Sequence, residues 1–164
     1  KDKNVLGAIG RAVTQIKGRP RVVVSVGKME NKSGNPKLSG TFTSAARDEL
    51  IKLPGVVVAK SDTEALAEGK AAKLPTIALD GQLTRIETEK AGAEVGYQAR
   101  VEFVIRKIPE HALKATVKGN AKALADSRSV KGAAEHSQLQ ADAVTAAVQT
   151  ALSSAPKTME EAGK

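Results

Sequence analysis

The 164 residues predict an α/β (α+β) protein built on a single mixed β-sheet, with helices mainly on one face. Three observations carry that expectation. Two short β-branched runs, Arg21–Gly27 and Val56–Ala59, alternate with stretches of helical periodicity. After Pro75 the pattern switches to a period of two, sustained over three segments. An Ala-rich stretch of helical spacing then closes the chain. The predicted order is α-β-α-β-α-β-β-β-α, a five-stranded sheet whose last three strands form an antiparallel meander.

Each element follows from its residues. Leu6, Ile9, Val13 and Ile16 recur at helical steps until Gly18 and Pro20 stop them, which predicts an amphipathic helix over residues 1–19. Arg21–Gly27 reads as a strand covered on both faces, since its valines are not interrupted by polar positions. Lys28–Pro36, with Asn31, Ser33, Gly34 and Asn35, reads as a loop. Phe42, Ala45, Ala46, Leu50 and Leu53 lie on one helical face. Pro54-Gly55 ends that helix, and Val56–Ala59 is the second buried strand. Ser61 and Glu64 have the spacing of a capping box, which starts a short helix that ends near Lys73.

The three half-buried strands come next. Ile77, Leu79, Gly81 and Leu83 point inward in the first, and Tyr97, Ala99, Val101, Phe103 and Ile105 in the second. In the third, Leu113, Ala115, Val117, Gly119, Ala121 and Ala123 alternate with polar residues. A flexible turn is expected at Glu87–Glu94 and a tighter connection at Ile108–Glu110. Leu139, Ala143, Val144, Ala147, Val148, Ala151 and Leu152 mark the closing helix, whose small residues suit close approach to a sheet. The domain is thus expected to span residues 20–155, and 156–164 to form a disordered tail.

Composition narrows the function. Aromatic residues make up only 2% of the chain, so stacking platforms for single-stranded nucleic acid are not expected. The absence of cysteine removes disulfides, thiolate metal sites and thiol nucleophiles. No apolar run approaches the ~20 residues that span a bilayer, and Lys1–Asn4 lead into an amphipathic stretch and not a signal sequence. Opening on Lys and not Met, the chain is expected to be a piece of a longer product. The formal charge is +8. Residues from Arg128 onward hold equal numbers of acids and bases, so the whole excess lies before them.

No catalytic set or cofactor site is expected. A metal site needs three or four converging ligands, and with no His-x-x-x-His and no carboxylate-rich loop, His111 and His136 read as surface residues. Gly34 stands where a helix N-terminus follows a strand, but it lacks the Lys-Ser/Thr of a phosphate loop and reads as a turn glycine. The patterned polar feature is the wet face of the meander. Lys114, Lys118 and Lys122 fall on one side of a strand, with Arg100 on the matching face of its neighbour. Such a row serves either to protect an exposed sheet edge or to dock a partner.

Four pieces of the sequence carry a resemblance. They are the strand Arg21–Gly27 with its polar loop, the helix end Asp48–Gly55 before Val56, the strand Ile77–Arg85 entering a meander, and the Ala-rich closing helix. Together they resemble the envelope lipoprotein domains of the CsgG, TolB N-terminal and LpoB type over roughly residues 20–155. That resemblance implies a periplasmic or cell-envelope setting and a role in assembly by protein contact, without catalysis, in which self-association is open. The lipobox cysteine and the pore-forming insertions of the secretion channel have no counterpart, so a channel is not expected. The alternative is a cytoplasmic basic domain that binds nucleic acid or another polyanion. Only the charge supports that one.

Overall fold

A computed structural model describes residues 19–164, so the helix expected over residues 1–19 lies, but for Arg19, outside the described residues. The elements are β1 (Val22–Asn31), α1 (Leu38–Lys52), β2 (Val56–Ala59), α2 (Asp62–Ala72), β3 (Thr76–Ala91), β4 (Glu94–Lys107), β5 (Ala112–Asp126), α3 (Ala133–Leu152) and α4 (Ala155–Ala162). The strands form one five-stranded sheet in the order β2-β1-β3-β4-β5. β1 runs parallel to β2 and β3, and β3-β4-β5 is an antiparallel meander. This is the mixed sheet that the change of period predicts.

The connections decide which face each helix covers. The step from β1 to β2 and the step from β2 back past β1 to β3 run in opposite directions across the sheet. Right-handed crossovers therefore put α1 and α2 on opposite faces. The side chains agree. Val22 and Val24 join Phe42, Leu50, Phe103, Val144, Val148 and Met159 in the main core. Val23, between them, joins Ala59, Ala65, Ala78 and Ile108 in a smaller cluster under α2. The unbroken valine run is thus explained, because β1 is covered on both sides. Among the described residues α1, α3 and α4 share the main face, and α2 takes the other.

Small side chains set how closely α3 approaches. Ala143, Ala147 and Ala151 are buried on it. Gly119 on β5 has no room for a side chain, because a Cβ there would meet the Ala147 carbonyl oxygen and lie 2.8 Å from the Ala151 methyl. At α2 the Ser61 hydroxyl accepts from the Glu64 N–H at 3.1 Å, as the capping spacing predicts. Glu64 reaches back to the N–H of Lys60, one residue before the cap, at 3.4 Å.

Four expectations need correction. Lys28–Asn31 continue β1 beyond an irregularity at Gly27-Lys28 and pair with β3 at Gly81–Leu83. Missing its side chain, Gly27 leaves space for the Asp80 carboxylate, which accepts from the Lys28 N–H at 3.0 Å. Glu87–Glu94 is no flexible turn, since β3 reaches Ala91 and a two-residue hairpin at Gly92-Ala93 returns it. Gly92, at φ +61, supplies the positive angle such a hairpin needs. Leu113 does not face inward but is 66% exposed. A bulge pairs Ile105 with Ala115 and Arg106 with Leu113, stepping over Lys114 and reversing the alternation there. The end of the chain is not a disordered tail: α4 buries Ala155, Met159 and Ala162 against the main core.

Candidate functional site

The helices cover the sheet unevenly. α2 packs against β1, β2 and β3, while α3 lies on the inner side of β4 and β5. The outer face of β4 and β5 carries no helix among the described residues. The side chains displayed there are set by register, because inward and outward positions alternate along a strand.

Of the four positions singled out in the sequence, the fold brings together Arg100 and Lys118. Arg100 is paired with Asn120 on β5, and Lys118 stands opposite Glu102 on β4. Both border a shallow groove of about 560 Å³, together with Thr84, Arg85, Glu102 and Asn120. Lys122 shares their face but is engaged elsewhere, 3.5 Å from the Glu89 carboxylate. The register steps over Lys114, which leaves it beside the exposed Leu113 and out of the row.

Arg85 is the groove residue that the alternation concealed. Continuing the pattern of Ile77, Leu79, Gly81 and Leu83 would drive its guanidinium into the core. A bulge between Leu83 and Arg85 prevents this and places Arg85 directly opposite Arg100. The following Ile86 then packs against the core. Leu-Thr-Arg-Ile at 83–86 holds the signal: two apolar residues three apart cannot share one face of a regular strand.

The outer face is a mosaic of charges. Arg85 bonds Glu87 at 2.9 Å and Arg106 bonds Asp80 at 2.8 Å. Arg100 has no carboxylate partner among the described residues. Two shifted carboxyl groups lie outside the groove. Burial, with help from the neighbouring Glu64, raises the Glu68 carboxyl above its ordinary range. Hydrogen bonds from Arg128 hold the Asp126 carboxyl below its own.

A second polar chain links Ser25, Asp62, His111, Arg106 and Asp80. The Ser25 hydroxyl donates to Asp62 Oδ1, and His111 Nε2 lies 3.6 Å from Asp62 Oδ2. Arg106 Nη1 lies 2.7 Å from His111 Nδ1, and since arginine only donates, that ring nitrogen accepts. His111 stands at a left-handed φ of 59°. The residue types suggest a hydrolase, but the order does not. Ser25 is 1% exposed and its oxygen touches a carboxylate, with the imidazole on the far side. A nucleophile needs an accessible oxygen beside its base. This chain instead ties β1, α2, β3, β4 and the turn before β5 together.

His136 departs from the surface reading. It lies half-buried, with Nδ1 3.0 Å from the Tyr97 hydroxyl, and so joins α3 to β4. At the Gly34 loop, Asn31 Oδ1 accepts from the Ser33 N–H and Asn35 Oδ1 from the Lys37 N–H. Side chains of the loop thus occupy donors an anion would need. Among the described residues no cluster of three or more His, Asp or Glu is placed to hold a metal ion. No helix there is long and apolar enough to cross a membrane.

Comparison with solved structures identifies the fold. A Xanthomonas campestris protein of the DUF330 family model superposes with a TM-score of 0.51 at 14% identity, over 89% of this chain and 85% of that one. The PelC dodecamer from Paraburkholderia phytofirmans gives a TM-score of 0.50 at 16% identity, over 83% and 89%. The lipoprotein GNA1162 from Neisseria meningitidis gives 0.44 at 10% identity, over 76% and 96%. At these identities the likeness establishes the fold alone. No protein-family model matches the chain, and neither does any curated protein sequence.

Proposed function

We propose that this chain is a module of the bacterial cell envelope that works by contact with protein, self-association included, and not by catalysis. The observation that carries the reading is the outer face of β4 and β5, which no helix covers among the described residues, whereas α2 packs on β1, β2 and part of β3. A polar surface of that kind is solvated when free and suits a reversible contact. The likeness to PelC supports self-association, since that protein is a dodecamer. The narrower kinship with CsgG, TolB N-terminal and LpoB domains, and with it the envelope location, belongs to the same proposal.

The polyanion reading draws less support, because Glu87, Glu89, Glu102 and Asp80 interrupt the bases on this face. The test is cell fractionation of the protein with its natural termini, together with cross-linking in cells and sedimentation of the purified chain. Envelope recovery with discrete cross-linked species is expected. A cytoplasmic monomer that forms no cross-links would sink the proposal. Salt-sensitive retention on nucleic acid would favour the alternative.

A further inference from the structure

Arg85 and Arg100 are Cα partners across β3 and β4. Like charges directly opposite one another on a sheet are destabilising, and the chain does not neutralise both. Glu87 bonds Arg85 at 2.9 Å. Glu102 stands opposite Lys118, which matches one acid to one base. Arg100 is then the surplus cation of the groove, exposed and, among the described residues, without a carboxylate of its own. The other two arginines of this face, Arg85 and Arg106, each have one.

Polar donors surround the same spot. Gln98 donates to Asn120 Oδ1 at 2.6 Å, which fixes the Asn120 amide and leaves its nitrogen as a donor. The Thr84 hydroxyl, held to the Arg100 carbonyl at 3.0 Å, stabilises the bulge that turns Arg85 outward.

We propose that the Arg85–Arg100 groove binds a single carboxylate from an acidic segment of a protein partner. The inference rests on the protein-contact reading above and names the chemistry that the contact recognises. One anionic group set between two guanidiniums relieves their repulsion and receives planar, forked hydrogen bonds from Arg100. The charge of the ligand follows from the acids at the rim. Glu87 and Glu102 flank the groove, so its surplus of about one positive charge suits a monoanion better than a phosphate of charge near −2.

The experiment is a fluorescence-anisotropy titration of a labelled oligoglutamate peptide with the purified chain at low salt. Acetate and inorganic phosphate serve as competitors at equal ionic strength. Arg100→Gln is expected to weaken peptide binding about tenfold or more, the loss of one charge-assisted contact. Arg100→Lys keeps the charge but loses the fork, and is expected to bind nearly as poorly. Lys60→Gln removes the same charge from an exposed position outside the groove and is expected to bind as the parent does. Unchanged melting curves confirm that the variants are folded. The proposal falls if Lys60→Gln weakens binding as much as Arg100→Gln, or if Arg100→Lys binds like the parent, since either result means diffuse charge. It falls as well if no binding is measured, or if phosphate displaces the peptide better than acetate. Sedimentation and cross-linking judge the envelope-module reading separately, because they do not depend on this peptide.

Discussion

The ring of Phe42 on α1 lies 5.8 Å from that of Phe103 on β4, tilted by 31°. These are the two phenylalanines of the chain, and both are fully buried. In a core otherwise made of Val, Leu, Ile, Ala and one Met they are the largest fully buried side chains. Their contact ties α1 to β4 across the main core. Such aromatic pairs contribute beyond their buried area.

Phe103→Ala is therefore expected to cost about 3–5 kcal/mol, from lost burial plus the cavity left behind. Ile51→Ala serves as the control. Ile51 is as apolar, but at 55% exposure it is expected to change stability by no more than about 0.5 kcal/mol. Urea unfolding measures both. Equal losses would mean that α1 does not pack as described.

At Gly119, alanine is a better strand residue than glycine, yet Gly119→Ala is expected to destabilise by about 1–3 kcal/mol. The added methyl meets the Ala147 carbonyl and the Ala151 side chain on α3. Gly92→Ala introduces no such clash, because nothing lies within 4 Å, but its φ of +61° strains any side chain. Hydrogen exchange separates the two. Gly119→Ala should loosen α3, and Gly92→Ala only the β3–β4 hairpin.

α4 offers a test of the corrected C-terminus. Met159→Ala is expected to lower stability by about 2–5 kcal/mol, while Lys157→Ala, on the exposed side, changes little. Melting curves decide. No effect of Met159→Ala would return residues 156–164 to a tail.

Glu68 gives the pH dependence. Its raised carboxyl means the folded state holds that proton more tightly than the unfolded chain does. The contribution to stability is therefore full at low pH and is lost as pH rises through the folded-state value. Glu68→Gln removes the charge that burial and Glu64 oppose. It is expected to melt above the parent at neutral pH, with a difference that closes below the ordinary glutamate range. A difference that persists in acid would assign the effect to packing.

Elements showed in the sequence wherever one periodicity ran unbroken. The inward positions Tyr97 to Ile105 and the buried stripe Phe42, Ala46 and Leu50 stand where the pattern puts them. Errors collected where the register steps. Arg100, Lys118 and Lys122 share a face as expected, but the bulge at Lys114 removed the first lysine of the row. Arg85 entered the groove by the other bulge.

By itself, then, the sequence determined the class of fold, the order of its strands along the chain and the faces of its regular stretches, because burial periodicity is a local property. Only the tertiary structure decided where β1 and β2 stand beside the meander, the bulges and the last helix. A bulge forms because residues on either side of it need the same core, as Leu83 and Ile86 do, and that core is assembled from distant segments. α4, with eight residues, is shorter than the ~12–15 at which an isolated helix begins to hold. It is stable because the folded sheet and α3 present a surface that takes Met159, and no stretch of sequence near Met159 contains that surface.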